Sequence, residues 1–185
     1  MGVPVDELAV VTVDLGECGE VIAALERAGA RVVSDADAAT VREARSIALV
    51  GEGSFYDGAA YLRDHGLDAA VLHAVAHGAP CLGVGLGMCL LYARGAGDVS
   101  AGAPVARPMR PTPSGVGLTC GTVFEYKGSL FTRGLGLLGR EDDLPATVTL
   151  ADEGLFGIRD VAALKDDGAA VQVLGMFIAA ARDAI

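Results

Sequence analysis

The segment Cys81-Leu82-Gly83-Val84-Gly85-Leu86-Gly87-Met88 decides the fold of this chain. It predicts an apolar strand, a turn with glycine at every second position, and a helix that begins at Leu86. Glycines two residues either side of the apex relieve crowding, so that an apex side chain can be held at a strained strand-to-helix turn. This is the geometry of a nucleophile elbow, but its apex here is Gly85, which offers no nucleophile.

The first half of the chain alternates strands and helices with short connections. This alternation predicts an α/β fold with a doubly wound, mostly parallel central sheet and helices on both faces. In such sheets the ligand site lies beyond the carboxyl ends of the strands. The predicted strands are Leu8–Val13, Arg31–Val33, Ser46–Val50 and Pro80–Val84, and the predicted helices are one ending near Gly29, then Ala38–Ala44, Asp57–His65, Leu67–His77 and Leu86 to about Ala93.

The second half has a more β-like pattern. A loop rich in Pro, Gly and Ala comes first, and a final helix runs from about Ile178 to Ile185. No linker or repeat interrupts the chain, so we expect a single domain over residues 1–185. The loop is predicted at Gly95–Ser114, and the strands at Gly117–Tyr126, Ala146–Ala151, Leu155–Leu164 and Ala169–Phe177.

Composition excludes several classes of partner. The net charge of −10 and pI near 4.6 argue against nucleic acid and anionic membranes, which need clustered Lys and Arg. No apolar run reaches the ~18 residues of a spanning helix, and Met1–Asp6 lacks the basic start of a signal peptide, so we expect a cytoplasmic protein. Nothing predicts a cofactor or a metal site. The four cysteines, expected to be reduced, have no CxxC spacing: Cys18, Cys81, Cys89 and Cys120.

Five segments in order along residues 8–125 resemble the class I glutamine amidotransferases, above all the glutaminase subunit of imidazole glycerol phosphate synthase. The elbow resembles that family's G-I-C-L-G-M-Q, with Gly85 at the Cys position. Val50–Phe55 resembles P-G-V-G-x-F, the strand end that builds the oxyanion hole; here the corresponding loop and helix start supply Gly51, Gly53 and Leu86. Three further matches are Val13–Gly16 with a D-Y-G turn, Leu62–Leu67 with L-R-E-R-G-L, and Gly115–Val123 with G-L-G-L-L-P-G-R-V.

The resemblance also implies that the catalytic triad is lost. The family's His and Glu belong to a V-Q-F-H-P-E strand end, which we match to Val171–Met176; Leu174 then takes the His position and Met176 the Glu position. Glutamine hydrolysis through a thioester needs a thiolate, a base and a group that orients the base. Gly85, Leu174 and Met176 supply none of these, so we predict no glutaminase activity.

Four residues are candidates for replacement chemistry. Cys89 takes the place of the family's Gln, one helical turn from Gly85, and is either a relocated nucleophile or a small apolar filler. Cys18, in the first strand-to-helix turn, is either a reactive thiol or a partly exposed loop residue. The negative charge of Glu52 would destabilise an oxyanion. Glu52 is either a base or cation ligand, with Asp14 and Asp57 expected nearby, or a solvated carboxylate.

Cys81 and the histidines are expected to be structural. Cys81 lies within a central strand, and His65, His73 and His77 all fall on the two helices between the third and fourth strands. We interpret the histidines as helix-surface residues, since none falls at a strand end that faces the site.

Three functions remain open. The family's glutaminase passes ammonia to a (β/α)8 cyclase, but Lys127–Gly134 does not keep the P-H-M-G-W-like contact segment. The first hypothesis is a catalytically degenerate partner of a biosynthetic enzyme, or a homo-oligomer. The second is a repurposed enzyme of specialised metabolism that uses Glu52, Asp14 or Cys89. The third is a binding module that holds a small anion at the helix start of the elbow.

Overall fold

The computed structural model describes residues 8–53, 55–94, 139–140, 146–150, 154–166 and 168–184. Its centre is a six-stranded sheet with the strand order β2-β1-β3-β4-β8-β7. The first five strands in this order are parallel, and β7 pairs antiparallel with β8. The strands are β1 Ala9–Leu15, β2 Arg31–Val33, β3 Ile47–Gly51, β4 Cys81–Gly85, β7 Thr147–Leu150 and β8 Leu155–Ile158; β5 Ala93–Arg94 and β6 Gly139–Arg140 form a separate parallel pair.

Helices connect the parallel strands, as the alternation of the sequence predicts. The helices are α1 Gly19–Arg27, α2 Ala38–Arg42, α3 Phe55–Asp64, α4 Leu67–Ala76, α5 Leu86–Tyr92, α6 Ala163–Asp166 and α7 Gly168–Asp183. Within the described ranges, none of them is both long enough and apolar enough to cross a bilayer.

Each face of the sheet carries its own apolar core, because successive side chains of a strand point to opposite faces. Ile47 and Leu49 of β3 pack with α2, α3, α4 and α5 on one face. Ala48 and Val50 of the same strand pack with α1, α6 and α7 on the other. The expectation of a doubly wound α/β sheet is therefore confirmed, and the arrangement is flavodoxin-like.

The prediction of a strand at Ala169–Phe177 is wrong, because this segment belongs to the first part of α7. The helix buries residues three or four positions apart, which is the spacing of a helical face rather than a strand. These buried residues are Ala170, Val173, Leu174, Phe177, Ile178 and Ala181. The strand predicted at Leu155–Leu164 is also too long: β8 ends at Ile158, and α6 begins at Ala163.

Some predictions fall outside the described residues. They are the loop Gly95–Ser114, the strand Gly117–Tyr126, the motif Gly115–Val123, Cys120, and the segment Lys127–Gly134.

Candidate functional site

The candidate site lies at the carboxyl edge of the sheet, where three strand ends stand side by side. The register pairs Leu15 of β1 with Gly51 of β3, and Gly51 with Gly85 of β4. The order of strands reverses between β1 and β3, and a crevice at such a reversal is where doubly wound sheets bind their ligands.

The elbow at this edge is closed against the neighbouring strand. Gly85 has φ +59°, and a Cβ built on it would lie 2.5 Å from the carbonyl oxygen of Gly51. Gly83 and Gly87 allow similarly close approaches, since a Cβ on Gly83 would lie 2.7 Å from Met88 Cα and one on Gly87 would overlap the carbonyl oxygen of Leu49. The glycine spacing therefore holds β3, β4 and α5 in backbone contact, as the sequence predicts for an elbow.

Val161 lies next to the elbow. It follows the end of β8, which pairs parallel with β4, and its Cγ2 is 3.5 Å from the Cβ position of Gly85. An apolar side chain thus contacts the position where a side chain at the apex would begin.

Leu174 and Met176 do not lie at a strand end, contrary to the prediction. Leu174 is buried in the core beneath α7, whereas Met176 is 44% exposed on the same helix. The expected alignment with V-Q-F-H-P-E required a strand at Val171–Met176, and that strand is not formed.

Glu52 is exposed and lines two adjoining cavities. The switch-point cavity, of about 400 Å³, is lined by Asp14, Leu15, Gly16, Glu52, Gly53, Asp57, Gly58, Tyr61 and Leu86. The elbow cavity, of about 550 Å³, is lined by Glu52, Gly53, Gly85, Leu86, Cys89, Arg159, Asp160 and Val161. The expectation that Asp14 and Asp57 lie near Glu52 is confirmed by the first of these.

Carboxylates dominate the charge at this edge. Asp14, Glu52 and Asp57 share the switch-point cavity, and Asp160 lies in the elbow cavity beside Arg159. Anion binding at the elbow therefore gains little from its surroundings, because like charges repel a developing or bound negative charge. Among the residues that the structure describes, no three His, Cys, Asp or Glu side chains are grouped so as to hold a metal ion.

Only one of the two carboxylate oxygens of Asp14 has a hydrogen-bond partner among the described residues. Its Oδ2 accepts a hydrogen bond of 3.0 Å from the backbone N–H of Asp35. Its Oδ1 is buried and has no hydrogen-bond partner within the described part of the chain. A buried carboxylate oxygen without a partner is costly, so Asp14 is the polar group of this edge that a ligand would satisfy most.

The cysteines differ in how accessible their thiols are. Cys18 is buried, not partly exposed as expected, and its Sγ donates to the carbonyl of Gly16 at 3.1 Å. Burial, and then the negative charge of Asp14, raise the pKa of Cys18 to about 11, which leaves the thiol protonated at neutral pH. Cys81 is fully buried in β4, as expected, and burial raises its pKa to about 12. Cys89 is half-buried and lines the elbow cavity.

The residues predicted for the oxyanion loop, Gly51, Gly53 and Leu86, lie together at the carboxyl edge of the sheet. They differ in how much space surrounds them. A Cβ on Gly51 would overlap the carbonyl of Leu15, whereas one on Gly53 would meet nothing within 4 Å. Leu86, the first residue of α5, is buried and lines both cavities. The histidines lie elsewhere: His65 follows α3, His73 is in α4, and His77 caps it.

Sequence reasoning missed Arg159, Asp160 and Val161. The family's V-Q-F-H-P-E segment could have been sought directly after the apolar run Leu155–Ile158, which is the strand that pairs with β4. The longer apolar stretch in α7 offered a competing match, because Val171-Gln172-Val173 repeats the polar-apolar alternation of a strand end.

The doubly wound fold is consistent with that of the class I glutamine amidotransferases, and three similar proteins carry one name. Over 85 residues, or 46% of the chain, it is 38% identical to imidazole glycerol phosphate synthase subunit HisH of Geobacillus kaustophilus, covering 40% of that protein. Against HisH of Synechococcus elongatus it is 36% identical over 96 residues, 52% of this chain and 44% of that one. Against HisH of Nostoc punctiforme it is 32% identical over 110 residues, 57% and 52% of the two chains.

The chain thus spans about half the length of the curated relatives it matches. No protein-family profile matches it.

Proposed function

We propose that this chain is a glutamine amidotransferase-like protein without glutaminase activity, which stabilises or regulates a biosynthetic enzyme. The observation that carries the proposal is the closed, empty elbow: Gly85 lies at the apex and Val161 faces it. The reaction requires a nucleophile and a base in contact at this point.

A match to the residues after β8 replaces the one in α7. On the segment Ile158-Arg159-Asp160-Val161-Ala162-Ala163, the family's V-Q-F-H-P-E puts Val161 at the His position and Ala163 at the Glu position. This match is supported by the contact of Val161 with the Gly85 position and by the parallel pairing of β8 with β4. None of the three triad positions would then hold a side chain that can exchange a proton.

A partner role is supported by the names of the relatives. Each is called a subunit of imidazole glycerol phosphate synthase, and a subunit acts by binding another chain. We therefore propose that the carboxyl edge keeps a docking role on a biosynthetic enzyme after its chemistry has been lost.

The first test is the release of ammonia from glutamine, measured for the chain alone and mixed with the cyclase subunit of imidazole glycerol phosphate synthase. HisH of Geobacillus kaustophilus serves as the active control. We expect no ammonia above the buffer rate from this chain, alone or mixed. The variant Gly85→Cys should also be inactive, because Val161 cannot take the proton from the introduced thiol.

Ammonia release by the natural chain would contradict the loss of activity, and Cys89→Ser would then identify the nucleophile. The partner role is tested separately by isothermal titration with the same cyclase. A complex without ammonia supports both parts of the proposal. The absence of binding leaves the loss of activity standing but contradicts a role on this particular enzyme.

A second candidate function is a repurposed enzyme that binds an amine-bearing substrate. It is favoured by the three carboxylates of the switch-point cavity, which attract a cationic group, and by the unpartnered Oδ1 of Asp14, which could accept a hydrogen bond from it. The test is thermal denaturation with putrescine as probe. Stabilisation that Glu52→Gln abolishes and Glu26→Gln on α1 retains would support this function, and equal stabilisation of all three proteins would reject it.

A further inference from the structure

A third cavity, of about 400 Å³, lies at the opposite edge of the sheet. It is lined by Arg42, Glu43, Ala44, Arg45, His73, Ala74, His77, Gly78, Ala79 and Ala184, and we call it the amino-edge cavity. Its walls are the ends of α2 and α4 and the residues that lead into β3 and β4. A strand of five residues spans ~16 Å, so this cavity is separated from the elbow by about one strand length.

The charge of the amino-edge cavity is the reverse of that of the whole chain. The chain carries a net charge of −10, yet Arg42, Arg45 and two of its three histidines face this one cavity. Glu43 is the carboxylate among the lining residues. Within the described part of the chain Arg42 makes no ion pair shorter than 4 Å, so its charge is available to a ligand.

The two histidine rings pack against each other at the C-terminal end of α4. Their ring centroids are 4.0 Å apart, and His77 Nδ1 lies 2.7 Å from the carbonyl oxygen of His73. If His77 donates its Nδ1 proton to that carbonyl, its Nε2 remains for another partner. This hydrogen bond would restrain the orientation of the His77 imidazole in the cavity that Arg42 also lines.

Positive neighbours already oppose protonation here. Desolvation, and then the charges of Arg42 and His77, hold the pKa of His73 below its ordinary value, while the charge of Glu43 acts in the opposite direction. A bound anion would offset these charges and let the imidazole take up a proton.

Helix ends explain only part of this arrangement. Arg42 and His73 lie in the last turns of α2 and α4, where cations interact favourably with the helix dipole. That interaction does not account for the convergence of both helix ends on one concave surface.

We propose that the amino-edge cavity binds a small phosphorylated metabolite, with its phosphate between Arg42 and the His73–His77 pair. A phosphate monoester carries close to two negative charges and three acceptor oxygens, which a guanidinium fork and imidazole N–H groups can satisfy together. The cavity is larger than a phosphate group alone requires, and the small side chains of Ala44, Ala74 and Ala79 leave room for the organic part.

The test is a titration of the full chain with inorganic phosphate and with glycerol 3-phosphate, at constant ionic strength in chloride, followed by the histidine Cε1–H resonances. His65, which follows α3 and packs beside Tyr61, is an internal reference because it does not line the cavity. We expect the His73 and His77 resonances to shift with saturation and the pKa of His73 to rise, while His65 stays nearly constant.

The matched variants are Arg42→Gln and Arg63→Gln, which each remove one exposed arginine charge from a helix end. We expect Arg42→Gln to weaken glycerol 3-phosphate binding ~10-fold, the loss of one charge-assisted contact, and Arg63→Gln to leave it unchanged. Equal titrations of the two variants, or shifts of His65 equal to those of His73, would overturn the site. Binding of glycerol 3-phosphate no tighter than that of inorganic phosphate would overturn the claim of an organic ligand.

Discussion

At Gly85 the position where a side chain would begin is taken by the carbonyl oxygen of Gly51, 2.5 Å away. The positive φ of +59° adds a conformational preference for glycine. Two separate effects, one steric and one conformational, therefore favour glycine at the apex of the elbow. At Gly66 only the conformational effect is present. Its φ is +67°, and the atom nearest to an added Cβ would be 3.9 Å away.

This pair of glycines gives a prediction on stability. Gly66→Ala should cost ~1 kcal/mol, the penalty of a left-handed backbone for a residue with a Cβ. Gly85→Ala should cost ~3 kcal/mol, since the backbone of β3 must also move. Urea denaturation measures both free energies of unfolding. Equal costs for the two variants would contradict the close approach of Gly85 and Gly51.

Among the elements, α7 shows most directly how a helix can resemble a strand in sequence. Its buried residues Val173, Leu174 and Phe177 lie on one face, and Gly175 and Met176 lie on the exposed face. The helix covers the sheet beside β8, where Phe177 meets Phe156 edge to face with centroids 5.9 Å apart.

A glycine inside α7 provides a test of its helical conformation. Gly175 is exposed, and an added Cβ would meet nothing within 4 Å. We expect Gly175→Ala to raise the free energy of unfolding by ~0.5–1 kcal/mol, because alanine loses less backbone entropy in a helix. The measurement is chemical denaturation, with the exposed Gly168→Ala at the start of α7 as a control that should change stability less. A loss of stability in Gly175→Ala would contradict the helix.

The sequence predicts helices and strands correctly where hydrophobic pattern and glycine positions indicate the same element. β3 and β4 are apolar runs of strand length closed by glycine, and the helices after them begin where the glycines end. In α7 the signals conflict, because Val171-Gln172-Val173 alternates as a strand does. Its burial follows a helical period, which depends on packing against β8 and β7. Val161 could not be singled out from the sequence, because it is a valine after a turn, and its place beside Gly85 depends on strand pairing.

On the scale of the whole molecule, the sheet separates two regions of opposite charge. The carboxyl edge carries Asp14, Glu52 and Asp57 around one cavity, and the amino edge carries arginines and histidines around another. Between them lie the two apolar cores, each of which contains a buried thiol: Cys81 on one face of the sheet and Cys18 on the other.

These thiols predict how stability depends on alkaline pH. Their pKa values in the fold are about 11 for Cys18 and about 12 for Cys81, against 9.0 when unperturbed. The folded chain therefore keeps both protons more tightly than the unfolded chain, and the free energy of unfolding should decrease as the pH rises from 9 toward 11. Urea denaturation across this range measures the slope. The variant Cys18→Ala/Cys81→Ala should show a shallower slope, and an unchanged slope would show that other groups dominate.

The contact between the Gly85 position and Gly51 also bears on the history of the chain. Once glycine occupies the apex, the neighbouring strand can settle into the space that a side chain would need. A cysteine introduced at this position would meet a backbone carbonyl and an apolar neighbour, Val161, before it met any substrate. If the reaction has been lost as we propose, its recovery would require β3 to move and several residues to change together. Packing as well as chemistry would then oppose the return of a nucleophile, in the manner of an evolutionary ratchet.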